Sequence, residues 1–318
     1  MATRTNGLKI TGSNTLYRRH LISINDLSDQ EICRIIQLAK QFKQESAPEL
    51  LKNKITANCF YEPSTRTRLS FESAALRLGA KVIGFSDANT VSHKKGESLV
   101  DAMRVIEGYA DLIVLRHPEE GSAKNVSEAV NIPVVNAGDG ANQHPTQALL
   151  DLFTIRECYA DSDNINIVFM GDLRYGRTVH SLVHALRILR ARLYFVSDDS
   201  LALPESLLAF LQQKKIEYSL HKSLDEVIEV ADILYMTRLQ RERMTESYSQ
   251  APYRLTLNDL ARAKPELKIM HPLPRVDEID TVIDETKHAY YFQQAANGLY
   301  VRQAILALLL NETVKVPE

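Results

Sequence analysis

Short apolar runs rich in β-formers recur along the chain at 54–60, 81–86, 111–116, 133–136, 166–171, 192–197, 216–220, 232–236 and 268–270, and between them the apolar positions change to a helical period. Such alternation implies parallel strands wrapped by helices. The helix after the first run is the clearest. Phe71, Ala74, Ala75 and Leu78 stand at i, i+3, i+4 and i+7, and Gly79 follows where a helix stops. A second long helix is expected over 145–159. It opens on Pro145, whose missing N–H would be unbonded in a first helical turn anyway, and it should bridge the four strands before it and the five after. The domain boundary is placed there. The last helix, 294–310, sets Val301, Ile305, Leu308 and Leu309 on one face and must dock on something already folded. The pattern predicts an α/β protein of two domains, each a parallel β-sheet flanked by helices.

The chain has 318 residues, and at a working size of ~150 residues per domain this also favours two domains. No run reaches the ~18 apolar residues of a membrane span. Lys and Arg number 38 against 40 Asp and Glu, so the net charge of −2 gives no global pull toward nucleic acid or acidic membranes. Any basic site must be local. Cys33, Cys59 and Cys158 are odd in number and lie far apart, which argues against a disulfide framework and for a reducing cytoplasm. Residues 1–13 are polar with no apolar stretch of the kind a signal peptide needs, and are expected to be a frayed extension.

In open parallel sheets ligands bind at the carboxyl ends of the strands. The loops expected there are 63–68, 87–97, 116–118, 137–147, 171–178, 237–243 and 271–276. Ser64-Thr65-Arg66-Thr67-Arg68 brings hydroxyls, guanidiniums and unpaired helix N–H groups to one spot, a recipe for phosphate, although for an isolated string Ser64 as a plain helix cap with solvated arginines is the favoured explanation. Arg116 ends the third strand, where a lone Arg more often makes a surface ion pair. His144, just before Pro145, is placed to polarise a carbonyl, with Gln147 three residues on along the same face. The basic loop that holds Ser92 and Lys95 reads by itself as a solvated tip. Gly171-Asp172-Leu173-Arg174-Tyr175-Gly176 is similar to a nucleotide-binding turn but lacks the glycine spacing of an NAD site. Thr237-Arg238-Leu239-Gln240 and His271-Pro272-Leu273-Pro274-Arg275 follow two further strands, and the prolines of the latter stiffen its backbone.

Ser64-Thr65-Arg66-Thr67-Arg68, His144-Pro145-x-Gln147, Tyr235-Met236-Thr237-Arg238-x-Gln240 and His271-Pro272-Leu273-Pro274, in this order, resemble the catalytic chains of the aspartate carbamoyltransferases, within the aspartate/ornithine carbamoyltransferase superfamily. The likeness runs over about 16–310. It implies transfer of a carbamoyl group from carbamoyl phosphate to L-aspartate in pyrimidine synthesis, with no metal and no organic cofactor. It implies a carbamoyl phosphate-binding domain over 1–145, an aspartate-binding domain over 146–293, and a C-terminal helix, 294–318, that packs back on the first domain. By the same resemblance Ser64, Thr65, Arg66, Thr67 and Arg116 hold the phosphate, and Thr67, Arg116 and His144 meet the carbonyl oxygen. Gln147 and the Pro272-Leu273 backbone bind the carbamoyl NH₂, and Arg177 and Arg238, supported by Gln240, grip the aspartate carboxylates. Ser92 and Lys95 are contributed by a neighbouring subunit of a homotrimer, to which regulatory chains can be added in a larger assembly. Position 174 carries Arg where relatives often have Lys, and the Ser92 loop is one residue shorter than in some of them.

The physical logic agrees with these roles. Two polyanions must be brought together, and Arg66, Arg116, Arg177 and Arg238 are expected to line one crevice that cancels their repulsion. Ornithine carbamoyltransferase is the nearest rival, but its H-C-L-P and S-M-G-E motifs are replaced here by His271-Pro272-Leu273-Pro274 and Thr237-Arg238-Leu239-Gln240. A silent binding subunit on the same fold should have lost His144, Lys95 or an arginine, and all are present.

Overall fold

The computed structural model describes residues 13–47, 49–86, 96–159, 164–240 and 253–316. The chain divides into two compact units, one of Met1–Phe153 with Ala296–Glu318 and the other of Thr154–Ala295.

In the first unit, α1 (Asp29–Gln44) begins at Ser28, whose hydroxyl accepts the Glu31 N–H while the Glu31 carboxylate accepts the Ser28 N–H, so two otherwise orphaned helix donors are satisfied. The elements that follow are β1 (Ile55–Phe60), α2 (Thr65–Arg77), β2 (Lys81–Phe85), α3 (Leu99–Glu107), β3 (Leu112–His117), α4 (Ser122–Ser127), β4 (Val134–Asp139) and α5 (Pro145–Cys158), which from Thr154 onward belongs to the second unit. The strands pair in parallel in the order β2-β1-β3-β4. Strands β3 and β4 are buried along their whole length, as strands covered on both faces must be. The α2 stripe behaves as the period requires. Phe71, Ala74, Ala75 and Leu78 are fully buried, and Gly79 takes φ +80°, a conformation that favours glycine and lets the chain reverse. Burial of Phe71 and Leu78 contributes about 1.5–3 kcal/mol each.

Strand β4 runs on to Asp139, past the expected end at 136. The ladder with β3 continues through a register shift to pair His117 with Asp139, so Gly138 and Asp139, expected in a loop, lie on the strand. The last helix, α8 (Tyr291–Leu310), starts three residues before the expected 294 and is buried on more than one face, since Ala304, Leu306 and Ala307 are enclosed together with Val301, Ile305, Leu308 and Leu309. Its part from Ala296 onward belongs to the first unit. There Asn14 donates to the Leu308 carbonyl at 2.7 Å, Asn311 donates to the Leu50 carbonyl at 3.0 Å, and the Arg302 guanidinium lies 5.0 Å from the centre of the Phe71 ring.

The second unit contains β5 (Ile165–Met170), α6 (Arg177–Ala185), β6 (Ala191–Val196), α7 (Glu205–Gln213), β7 (Tyr218–His221), β8 (Ile233–Met236) and β9 (Lys268–Met270). All five strands are parallel, in the order β7-β6-β5-β8-β9. Val168, Met170, Leu234, Met236 and Ile269 form the centre of one core layer. Among the described residues no helix is long and apolar enough to cross a membrane.

Candidate active site

Strand order alone selects the reactive end of each sheet. In the first, the chain moves from β1 outward to β2 and then returns past β1 to β3, so the switch point lies between β1 and β3. In the second, it moves from β5 outward through β6 and β7 and returns to β8, so the switch point lies between β5 and β8. Ligands of doubly wound sheets bind beyond the carboxyl ends of the strands at such points. Arg66 and Arg116 follow or end the two strands at the first switch point, and Arg177 and Arg238 follow the two at the second.

At the first switch point Ser64 stands at the N-cap of α2, yet its side chain makes no capping hydrogen bond. The bland explanation of this serine therefore fails, and its hydroxyl and those of Thr65 and Thr67 sit on the helix end whose free N–H groups favour an anion. The two arginines of the motif differ in their surroundings. Arg68 pairs with Glu72 one helical turn on, at 3.6 Å, and serves the helix, whereas Arg66 is exposed. Arg116 is 8% exposed; its Nη1 donates to the Ala137 carbonyl at 3.1 Å and its Nη2 lies 3.3 Å from Glu62 Oε2. Phe60 is its register partner across the sheet, and the Arg116 carbonyl accepts the Tyr61 N–H. Glu62, which follows β1, escaped sequence analysis. A guanidinium this buried needs a carboxylate nearby, and the acidic residue two places before Ser64 was the available signal.

His144 is buried, and its carbonyl accepts the Gln147 and Ala148 N–H groups, which starts α5. The approach to it is built on Asp139, whose carboxylate accepts from the Gly121 and Gln143 N–H groups and from the side chains of Asn136 and Asn142. The Gln147 Nε2 donates to Asp151 at 2.9 Å, which leaves the acceptor end of the carboxamide for other work.

At the second switch point the two loops touch. Gly171 has φ +119°, and a Cβ built there would lie 2.3 Å from the Thr237 carbonyl oxygen, so only glycine permits the approach. Asp172, fully buried, bridges the loops: one carboxylate oxygen accepts the Tyr175 N–H at 2.9 Å and the other the Gln240 N–H at 3.0 Å. Burial raises its carboxyl above the usual range, against the pull of these bonds. Arg177 opens α6 and is 8% exposed. Arg238 is half-buried and donates to the Leu239 carbonyl, and the Gln240 side chain donates to the Arg238 carbonyl at 3.4 Å. Asp172 also escaped sequence analysis as a functional residue, although it lies inside the turn that drew attention.

The segment after β9 folds tightly. His271 donates its backbone N–H to the Gln294 side chain, and its Nδ1 accepts the Leu273 N–H at 2.8 Å. Leu273 sits at φ +54°. Ser92 and Lys95 lie outside the described residues, as does 241–252 beside Arg238.

Each unit is thus a doubly wound α/β fold with a pair of arginines at its switch point, an arrangement suited to anionic substrates. Residues 19–157 match the family model described as the carbamoyl-P binding domain of aspartate/ornithine carbamoyltransferase, and residues 163–309 match the model of its Asp/Orn binding domain. The aspartate carbamoyltransferase catalytic subunits of Vibrio vulnificus (strain CMCP6) and Vibrio campbellii (strain ATCC BAA-1116) are each 55% identical over 308 residues, covering 95% of this chain and 100% of theirs. Among solved structures, the catalytic subunit of M. jannaschii aspartate transcarbamoylase superposes with a TM-score of 0.84 at 47% identity, over 91% of this chain and 97% of that one. The Trypanosoma cruzi enzyme in complex with N-(phosphonacetyl)-L-aspartic acid superposes with a TM-score of 0.87 at 35% identity, over 93% and 97%. The chain belongs to the aspartate/ornithine carbamoyltransferase family.

Proposed function

We propose that the chain transfers the carbamoyl group of carbamoyl phosphate to the amine of L-aspartate, giving N-carbamoyl-L-aspartate and phosphate, as a cytoplasmic step of pyrimidine synthesis. The observation that carries this reading is the second switch point, where Arg177 and Arg238 stand on two loops clamped by Asp172. Guanidiniums there fit a dicarboxylic amino acid and repel the side-chain ammonium of ornithine. The names of the Vibrio relatives support the same choice.

In this reading 1–145 binds carbamoyl phosphate, 146–293 binds aspartate, and 294–318 returns to the first domain. Ser64, Thr65, Arg66 and Thr67, with Arg116, hold the phosphate. Thr67, Arg116 and His144 face the carbonyl oxygen, where negative charge grows as the neutral amine attacks. Gln147 and the Pro272-Leu273 backbone take the carbamoyl NH₂. Arg177, Arg238 and Gln240 hold aspartate together with Lys95, and the amine proton passes to the departing phosphate or to Lys95. Positioning of two reactants in this way supplies ~7–11 kcal/mol of the barrier. Ser92 and Lys95 come from a neighbouring subunit, which makes a homotrimer the working unit.

Purified protein should release phosphate from carbamoyl phosphate with L-aspartate and not with L-ornithine, and equal turnover of both rejects the reading. Arg238→Ala should raise the aspartate KM by roughly 10–150-fold, the loss of a charge-assisted hydrogen bond worth about 1.5–3 kcal/mol. Mixing inactive Arg66→Ala and Lys95→Ala chains should restore activity if sites are shared; no recovery counts against the trimer.

A further inference from the structure

The catalytic reading uses the backbone of Pro272 and Leu273 but leaves open what holds it. Leu273 lies in the left-handed region at φ +54°, where a residue with a Cβ stays only when its surroundings over-determine it. The bond that fixes it is the Leu273 N–H donated to His271 Nδ1 at 2.8 Å, so this nitrogen must be bare. The other ring nitrogen, Nε2, lies 2.7 Å from Glu278 Oε1, with both side chains buried. The second Glu278 oxygen accepts the Val276 and Asp277 N–H groups, each at 3.1 Å, and the Glu278 carbonyl accepts the Leu255 N–H, so the carboxylate itself is pinned.

Only one form of the imidazole satisfies these contacts. A proton on Nδ1 would face the Leu273 N–H donor to donor, and a bare Nε2 would face a carboxylate. Imidazolium fails for the first reason. Burial, helped by the charges of Arg238 and Arg275, pushes the ring pKa down against the pull of Glu278, in the direction of the neutral ring. Buried, with Nδ1 bonded to the Leu273 N–H and Nε2 against the Glu278 carboxylate, His271 is not placed to exchange protons with a substrate; its geometry is that of a strut.

We propose that Glu278 is a positioning residue for carbamoyl recognition: by holding a carboxylate oxygen against His271 Nε2 it favours the tautomer that keeps its proton on Nε2, whose bare Nδ1 holds the Leu273 N–H, and so aims the Pro272-Leu273 backbone at the carbamoyl NH₂. This rests on the carbamoyl-transfer reading above. The logic is that of tautomer choice at one ring nitrogen being set by the bond at the other.

Glu278→Gln in the full chain tests it. The carboxamide has one acceptor end; with that end kept by the Val276 and Asp277 donors, its NH₂ faces Nε2, the ring takes the opposite tautomer, and Leu273 loses its acceptor. The expected result is a carbamoyl phosphate KM raised by ~10–100-fold, the scale of a misplacement near 1 Å, while the inhibition constant of inorganic phosphate, which has no NH₂, stays within about twofold. In ¹⁵N-histidine spectra His271 should carry its proton on Nε2 in the unaltered protein and on Nδ1 in the variant. Adding His271→Asn, whose Oδ1 accepts in place of Nδ1 with no tautomer to choose, should bring the KM back toward the original. An unchanged KM, or parallel rises in the KM and the phosphate constant, overturns the proposal. If Glu278→Gln does not fold, the spectrum of the unaltered protein still decides, because a proton on Nδ1 overturns it. Absence of transfer to aspartate in the unaltered protein removes the functional reading first, and this inference with it.

Discussion

Asp172→Asn isolates the contact that ties the two aspartate-side loops together. The carboxylate accepts the Tyr175 N–H with one oxygen and the Gln240 N–H with the other, at 2.9 and 3.0 Å, and asparagine keeps only one acceptor. One of the two N–H groups then faces an NH₂ in a fully buried place, which costs about 1–3 kcal/mol. Part of this is returned, because burial already disfavours the charged carboxyl and the amide carries no charge. The net loss of stability should therefore fall near 1 kcal/mol, read by urea unfolding. The functional loss should be much larger. Gln240 follows Arg238 by two residues, and Arg177 follows Tyr175 by two, so freeing either N–H lets one guanidinium drift from the other. A drift near 1 Å costs about 10²-fold, and kcat/KM for aspartate should fall on that scale while carbamoyl phosphate binding in the absence of aspartate is unchanged. A variant that unfolds at lower urea but keeps kcat/KM for aspartate within twofold would refute the argument.

Two further outcomes follow from local geometry. Gly171→Ala should lower the unfolding midpoint by several degrees, since φ +119° strains any side chain by about 1–3 kcal/mol and the new Cβ must displace the Thr237 carbonyl; calorimetry that finds no shift rejects this. His184, its ring centre 4.2 Å from that of Phe210, is pushed down to about 4 from an ordinary 6.5 by burial and by the charges of Arg187 and His180. A base with a depressed folded pKa binds its proton more readily when unfolded, so its contribution is present above pH 6.5 and is lost as pH falls toward 4, to a total of about 3 kcal/mol at ~1.36 kcal/mol per unit. His184→Phe should flatten the stability profile over that window, and parallel profiles for the two proteins would count against the assignment.

The strands, the α2 stripe and the motif at its start were legible because each depends on residues close in the chain. Period and turn chemistry act over a few residues, and Ser64-Thr65-Arg66-Thr67-Arg68 announces its anion chemistry wherever a strand gives way to a helix. The end of β4 was misplaced because Gly138 and Asp139 look like a turn, and only pairing with β3 draws them into the sheet. The wrapping of α8 was likewise underestimated, since what covers Ala304 and Leu306 comes from other parts of the fold.

Sequence by itself determined which side chains are available for chemistry: the hydroxyls and guanidiniums, their order, and the strands they follow. Tertiary structure alone decided which of them are held and by what. Strand order put Arg66 with Arg116 and Arg177 with Arg238 at switch points, where the carboxylates of Glu62 and Asp172 found their partners, and set Glu278 against His271 after the edge strand β9. The reason is physical: a periodic pattern records burial, which is local and repeated. The partner of a buried charge is instead set by whichever distant segment the fold brings within hydrogen-bond reach.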